Sequence, residues 1–520
     1  MFSPGSYSRG VTITQPQLRP AALEIDVTGG RIAGVIRDNL RMWRNIPYAA
    51  PPVEEWRLRA PQPVVPWHGT WDASAFGPIP YQDRGPASLG VRALRSEDCL
   101  SLNVIAPTTD ADALRPVMLF IHGGAYTAGS SREIPHIGEA LVREGDIVFV
   151  NINYRLGAFG YLDFTRFSTP DRPFDSNLGL RDQVAALEWV RDNIASFGGD
   201  PDRVTIFGES AGGNAVTTLL TVPSAAGLFS RAIAESAPPE AIYPSSLSTQ
   251  WGEDYVEILR EVLRDDVTDA ATLLSNATAT DMVRAASLMQ SRTPDAVPGT
   301  IAFSPVIDGD FLPERPVDAV AAGRAHPVPL IIGTNAHEGT LFRGRLDLLA
   351  TTKPRIRAVF GKTEREARRR LFEQYRALPS RQSAAQFGAD YSFWYPSIKY
   401  AEGHAQHAPV HFYRFDIATK ALQLAGLDAT HGLELFAVFD LTDTAMARAA
   451  GLLGGRAAFK RAGERMRKHW LDFARDGVVD DWPAYSAGSR DTLVIDTEDR
   501  IETDPYADRR EAWQAFVPHL

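Results

Sequence analysis

Val204-Thr-Ile-Phe-Gly-Glu-Ser-Ala-Gly-Gly213 decides how this chain is read. Val204, Ile206 and Phe207 are strand formers. Gly208 and Gly212 stand two residues either side of Ser210, and the small residues Ala211, Gly213 and Ala215 let a following helix pack closely on a sheet. A Gly-x-Ser-x-Gly corner between strand and helix lifts a serine hydroxyl clear of the sheet on strained backbone. Only glycine avoids a clash at the flanking positions. Ser210 is therefore the candidate nucleophile. The motif alone is weak, because an ordinary glycine-rich turn that holds an anion reads the same way.

Upstream, Pro116–Ile121 is an apolar run followed by His122-Gly123-Gly124-Ala125, and Ile147–Asn153 is a second such run. Unbroken apolar runs fit parallel strands buried on both faces. The glycines after the first run would let backbone N–H groups point into a shared cavity, as an oxyanion hole requires; a plain glycine turn is the competing reading. Leu180–Ile194 repeats apolar residues at 180, 184, 187, 190 and 194, the spacing of one buried helix face. Nearer the N-terminus, Leu23–Val27 and Arg31–Ile36 read as a hairpin, Ile46–Pro52 as a rigid extended loop and Glu97–Val104 as a turn entering a strand.

Downstream, Phe229–Ser236, Val328–Gly333 and Val410–Phe415 read as strands, Ser245–Arg292 as mainly helical and Phe459–Phe473 as a core-facing helix. Thr363–Leu378 reads as a polar helix on which Arg368, Arg369 and Arg370 form a solvated face, and Thr492–Ile495 as a late edge strand. A carboxylate in Gly333-Thr-Asn-Ala-His-Glu-Gly339 would lie at the carboxyl end of a strand, where open α/β sheets place their ligands. The alternation of strands and helices predicts an α/β fold with a large central sheet, mostly parallel in the middle.

The 520 residues are 44% hydrophobic and 23% charged, the balance of an ordinary globular protein. Length alone suggests about three domains. No Gly/Ser-rich or charged linker divides the chain, so we expect one domain over 1–520. In that reading 1–21 is a loosely ordered arm, and 240–325 and 340–408 are helical insertions over the site. The net charge of −10 argues against a nucleic-acid-binding surface. One cysteine, Cys99, excludes an intramolecular disulfide and suits a reducing compartment. With no apolar run for a signal peptide or a membrane span, a cytoplasmic protein is the expectation, with a monomer as default.

The combination of stretches resembles the type-B carboxylesterases, the carboxylesterase/cholinesterase branch of the α/β-hydrolases, whose bacterial members include the p-nitrobenzyl esterases. The matching stretches are Ile46–Pro52, Glu97–Val104, His122–Ala125, Asn153–Gly160, Asn177–Gln183, Phe197–Pro201, Gly208–Gly213, Pro305–Gly309, Asn335–Gly339, His431–Glu434 and Trp482–Tyr485. They keep the family's order. The resemblance implies a Ser–His–Glu triad of Ser210, His431 and Glu338, and oxyanion donors at the backbone N–H groups of Gly124, Ala125 and Ala211. It also implies ester hydrolysis through an acyl-enzyme, with a small-molecule ester as substrate and neither metal nor cofactor required. The chain departs from the pattern at four places, one of them Ala125, which replaces a third glycine seen in many animal members. The upstream cysteine that disulfide-bearing members pair with Cys99 is absent from Phe76–Gln82. Ser236-Ala237 replaces Ser-Gly, and His337 precedes Glu338.

The residues themselves leave choices open. Glu209, next to Ser210, is expected near the site as an electrostatic modulator, with His122 supporting the oxyanion loop and Ser236 close by. His404 and His407 could share a helix face, but no neighbouring Cys or His completes a metal set. His337 would point away from Glu338 along an extended segment. Asp308 and Asp310 fit turn chemistry. The aromatics of Tyr391–Tyr395 could line a gorge or simply pack the core. Amide or carbamate hydrolysis would use the same triad. A non-catalytic, neuroligin-like binding module is the reading from another class, and it would lack triad residues that this chain keeps.

Overall fold

Thirteen strands join in one mixed sheet among the residues that the computed structural model describes, namely 23–83, 93–109, 111–132, 137–343 and 346–518. From one edge the order is Leu23–Val27, Gly30–Arg37, Leu40–Pro47, Ser101–Pro107, Val148–Ile152, Arg115–Ile121 and Gly199–Glu209. It continues through Arg231–Glu235, Leu330–Asn335, Val410–Phe415 and Asp491–Ile495 to Arg500–Thr503, with Thr70–Asp72 paired to the second strand. Every neighbouring pair from Val148–Ile152 to Asp491–Ile495 is parallel. The N-terminal strands pair antiparallel except Thr70–Asp72, which runs parallel to Gly30–Arg37, and the last strand is antiparallel. The expected arm, 1–21, lies outside the described residues.

The apolar runs are buried on both faces, as central parallel strands must be. Successive side chains alternate between two cores. Leu119, Val150, Ile206 and Ile332 meet the helices Leu178–Asn193 and Ala211–Leu219 on one face. Met118, Phe149, Phe207 and Ile331 meet Glu139–Gly145 and Arg456–Asp476 on the other. Residues 180, 184, 187, 190 and 194 are all buried, as their spacing predicts. Two of the sequence stretches quoted above are riveted together inside the first core. Arg155 Nη2 and Nε donate to Asp182 at 2.7 and 2.9 Å, and the backbone N–H of Arg155 adds a third bond at 3.0 Å.

One crossing of the chain places the site. After Arg115–Ile121 the chain adds Val148–Ile152 on one side, then returns to lay Gly199–Glu209 on the other. The strand order therefore reverses between Arg115–Ile121 and Gly199–Glu209, and a crevice opens beyond their carboxyl ends. Both His122–Ala125 and Ser210 begin there.

Two expectations are corrected, and one open choice is decided. Thr492–Ile495 is not an edge strand, because Arg500–Thr503 pairs antiparallel outside it. The loop expected at Ile46–Pro52 begins inside a strand, Leu40–Pro47, which pairs with both Gly30–Arg37 and Ser101–Pro107. Of the two readings left open for Tyr391–Tyr395, core packing holds for most of its aromatics, and they do not line one surface. The segment forms a π-helical turn running into the helix Tyr395–His404, so its side chains diverge.

Candidate active site

Ser210 sits at the break between the strand Gly199–Glu209 and the helix Ala211–Leu219, with φ 59° and ψ −121°. That strained conformation is held by the Ser210 N–H, which donates to Glu235 O at 2.9 Å. The corner leaves no room for side chains beside it. A Cβ on Gly212 would lie 2.0 Å from Ile121 O, and one on Gly208 would lie 2.6 Å from the same oxygen. The helix starts at Ala211, so its free N–H groups and positive dipole end face the crevice.

The other two members arrive from neighbouring strands. Glu338 opens a short turn after Leu330–Asn335, and one of its oxygens accepts the Asn335 N–H at 2.7 Å. His431 follows Val410–Phe415. The two loops are stitched by His337 N to Ala429 O at 3.0 Å and by Thr340 Oγ1 to Thr430 Oγ1 at 2.8 Å. His431 Nδ1 lies 2.5 Å from Glu338 Oε2, and Nε2 lies 2.8 Å from Ser210 Oγ. The carboxylate fixes the tautomer with the proton on Nδ1, leaving Nε2 to accept from the serine hydroxyl. Phe342 and Phe393 flank the imidazole, with ring centroids 5.2 and 4.7 Å away. Phe393 is the one member of Tyr391–Tyr395 whose ring packs against His431, tilted by 37°. Tyr391 and Tyr395 pack on Trp513, and Trp394 on Tyr506.

The expected oxyanion loop lies against this line. Gly124 and Ala125 both take positive φ, 109° and 52°. Among the described residues, the N–H groups of Gly124, Ala125 and Ala211 have no protein acceptor. His122 is not placed as a base. Its ring stacks on Tyr154 at 4.4 Å, Nδ1–H donates to Gly123 O at 2.9 Å, and Tyr154 Oη donates to His122 O at 2.5 Å. Burial pushes His122 down to about 4, against the opposing pull of the Gly123 carbonyl.

Behind Ser210, His431 and Glu338 lies a buried set of carboxyl groups. Glu209 Oε1 is 3.3 Å from His431 Nε2, and Glu209 faces Glu235 directly in the strand register. Ser236 and Asn335 both donate to Glu434, and Trp470 Nε1 donates to Glu235 at 2.6 Å. Burial raises Glu209 to about 7 despite the attraction of His431, with Glu338 adding to the rise. Burial, Glu338 and Glu209 raise Glu434 to about 8. Burial opposes charge on His431, but Glu209 and Glu338 outweigh it and lift the imidazole to about 9.

The sequence reading assigned no role to Glu434, Glu235 or Asn335. Glu434 and Asn335 lie within the quoted stretches His431–Glu434 and Asn335–Gly339; for Glu235, nothing in its local spacing marks it. His404 Nε2 is bound by Val328 O at 2.8 Å, and no group of three or more His, Cys, Asp or Glu is arranged to hold a metal ion among the described residues. Asp308 accepts the Asp310 and Leu312 N–H groups, as turn chemistry predicts. Arg369 and Arg370 pair with Glu366 on an exposed helix face, whereas Arg368, expected on the same solvated face, is half-buried and donates to Phe360 O at 2.9 Å. Cys99 is buried and free. No helix among the described residues is long and apolar enough to cross a membrane.

A parallel-centred sheet with a serine on its strand-to-helix corner, and a histidine and a glutamate supplied by later strands, defines an α/β-hydrolase. Residues 21–513 match the model of the carboxylesterase family, and the chain belongs to it; it is a carboxylic-ester hydrolase. It is similar to para-nitrobenzyl esterase of Bacillus subtilis (strain 168), 36% identical over 491 residues that span 93% of this chain and 96% of that one. It is also similar to phenmedipham hydrolase of Pseudarthrobacter oxydans, 30% identical over 495 residues that span 91% and 94% of the two chains. A solved PNB esterase structure superposes with a TM-score of 0.80 at 34% identity, covering 94% of this chain and 99% of that one.

Proposed function

We propose that this enzyme cleaves small carboxylic esters through Ser210, His431 and Glu338, by way of an acyl-enzyme on Ser210. The observation that carries the reading is the continuous hydrogen-bonded line from Ser210 Oγ through His431 to Glu338, at 2.8 and 2.5 Å. His431 Nε2 takes the serine proton as Oγ attacks the ester carbonyl. Glu338 holds the ring and stabilises the imidazolium. The N–H groups of Gly124, Ala125 and Ala211 receive the developing oxyanion, each worth roughly 3 kcal/mol. The imidazolium then gives its proton to the leaving alcohol. Water repeats the sequence on the acyl-enzyme, releasing the acid and restoring Ser210.

In this reading the chain is one hydrolase domain, with the helices at 240–325 and 340–408 inserted around the crevice. A reducing, cytoplasmic setting fits the single, buried cysteine. The test is Ser210→Ala assayed on a chromogenic short-chain ester. The account expects a loss in kcat on the order of a millionfold; near-normal turnover would end it.

A further inference from the structure

We propose that Gln82 is a positioning residue for ester hydrolysis: its side-chain amide clamps the backbone of Gly129 and thereby holds the oxyanion loop over Ser210. The inference rests on the catalytic reading above and adds a residue to it.

Residues 122–129 form neither helix nor strand; instead of a ladder, their backbone has the turn bonds of Thr127 and Ala128 N–H to Gly124 O, both at 3.0 Å, and a bond from Gly157 N–H to Tyr126 O at 2.7 Å. Three successive residues have positive φ: Gly124 at 109°, Ala125 at 52° and Tyr126 at 57°. Two of them carry side chains, and such backbone persists only where its surroundings enforce it. Side chains add to the backbone bonds in enforcing it. Tyr126 Oη donates to Asn214 Oδ1 at 2.6 Å, Gln290 Nε2 donates to Thr127 Oγ1 at 3.0 Å, and Tyr154 Oη donates to His122 O. Of these ties, only that of Gln82 grips both polar groups of one peptide residue. Its Nε2 donates to Gly129 O at 2.8 Å and its Oε1 accepts Gly129 N–H at 3.0 Å, the pattern a paired strand would supply.

The clamp is rigid at both ends. Gln82 is 4% exposed, its second amide hydrogen reaches Pro80 O at 3.2 Å, and Arg95 Nη1 donates to the Gln82 carbonyl at 2.7 Å. The short strands Ile79–Pro80 and Arg95–Ser96 fix the backbone beneath it. At the other end Gly129 lies directly on the start of the loop: a Cβ there would stand 2.4 Å from His122 Nδ1 and 2.6 Å from Gly123 O. Displacement of Gly129 is therefore passed to Gly123 and the donors after it. The Phe76–Gln82 segment has no cysteine to tie it to Cys99, so this anchor is wholly non-covalent.

Donors that meet charge only in the transition state affect kcat and leave ground-state binding alone. The experiment compares full-length wild type, Gln82→Met and Gln82→Glu on a chromogenic ester, with active sites counted by organophosphate titration so that misfolded molecules do not enter kcat. Gln82→Met, which loses both bonds, is expected to lose about tenfold or more in kcat per titrated site with KM within about twofold. A trifluoromethyl ketone, which forms an oxyanion on the serine, should weaken by the same factor as kcat/KM. Gln82→Glu keeps the acceptor, loses the donor and should fall between. A kcat per titrated site within about twofold of wild type in Gln82→Met overturns the proposal; if that variant does not fold, the same result in Gln82→Glu does so. Ser210→Ala, run alongside, separates the two failures. Its inactivity beside an unchanged Gln82→Met rejects the clamp alone, whereas its retained activity rejects the triad.

Discussion

Glu209 Oε1 stands 3.3 Å from His431 Nε2, the nitrogen that faces the Ser210 hydroxyl at 2.8 Å. A carboxylate beside the accepting nitrogen stabilises the imidazolium, as the transition state needs. It also stabilises it in the resting enzyme, where a charged ring cannot take the serine proton.

The pH profile follows from that balance. With Glu209 and Glu338 outweighing burial, His431 is lifted to about 9. A group raised in this way stays charged until the pH passes that value, so kcat/KM should climb with pH toward about 9. Glu209→Gln removes the largest raising charge. Its acid limb should move to lower pH, by on the order of one unit. A pH–kcat/KM series on both proteins checks this; an unmoved limb, or one shifted upward, contradicts it.

Glu338→Gln keeps the shape of the acid but allows the amide to donate where the carboxylate accepted. The imidazole would then lose the partner that sets its tautomer. The expected outcome is a fall in kcat on the order of 10⁴-fold with KM little changed, read by steady-state kinetics on one ester.

The Arg155–Asp182 pair tests the scaffold apart from the chemistry. Both side chains are almost fully buried, at 4% and 0% exposed. Asp182→Ala would leave a buried guanidinium without its counter-charge, and the expected loss is about 3–5 kcal/mol in unfolding free energy. Urea unfolding midpoints read it directly.

The nucleophile corner was legible in the sequence because its chemistry is local: two glycines at fixed distance from a serine, after a strand-like run. His431 and Glu338 were not legible in the same way. Each is an ordinary residue in its own neighbourhood, and the family's motif order, not spacing, singled them out. The carboxyl cluster escaped because Glu209 and Glu235 become neighbours only through strand register, and Glu434 meets Asn335 across 99 positions of sequence. Leu40–Pro47 was misread because its pairing slips between Trp43 and Ile46, which breaks the period of two, and because the prolines that follow pull the reading toward a loop. Arg500–Thr503 is mostly exposed and carries a single apolar residue, too weak a pattern to mark a strand. The aromatic run from Tyr391 offered four candidates for the gorge. Helical geometry turns consecutive residues in different directions, and only Phe393 reaches the imidazole.

The most direct test of the central claim is to inactivate the enzyme with an organophosphate, digest it and locate the added mass. The account predicts one phosphoryl group per chain, on Ser210 in the peptide spanning the Gly208–Gly212 corner, and none in Glu338→Gln over the same brief exposure. Full inactivation with the label on another residue, or complete labelling of Ser210 with ester turnover intact, would contradict it.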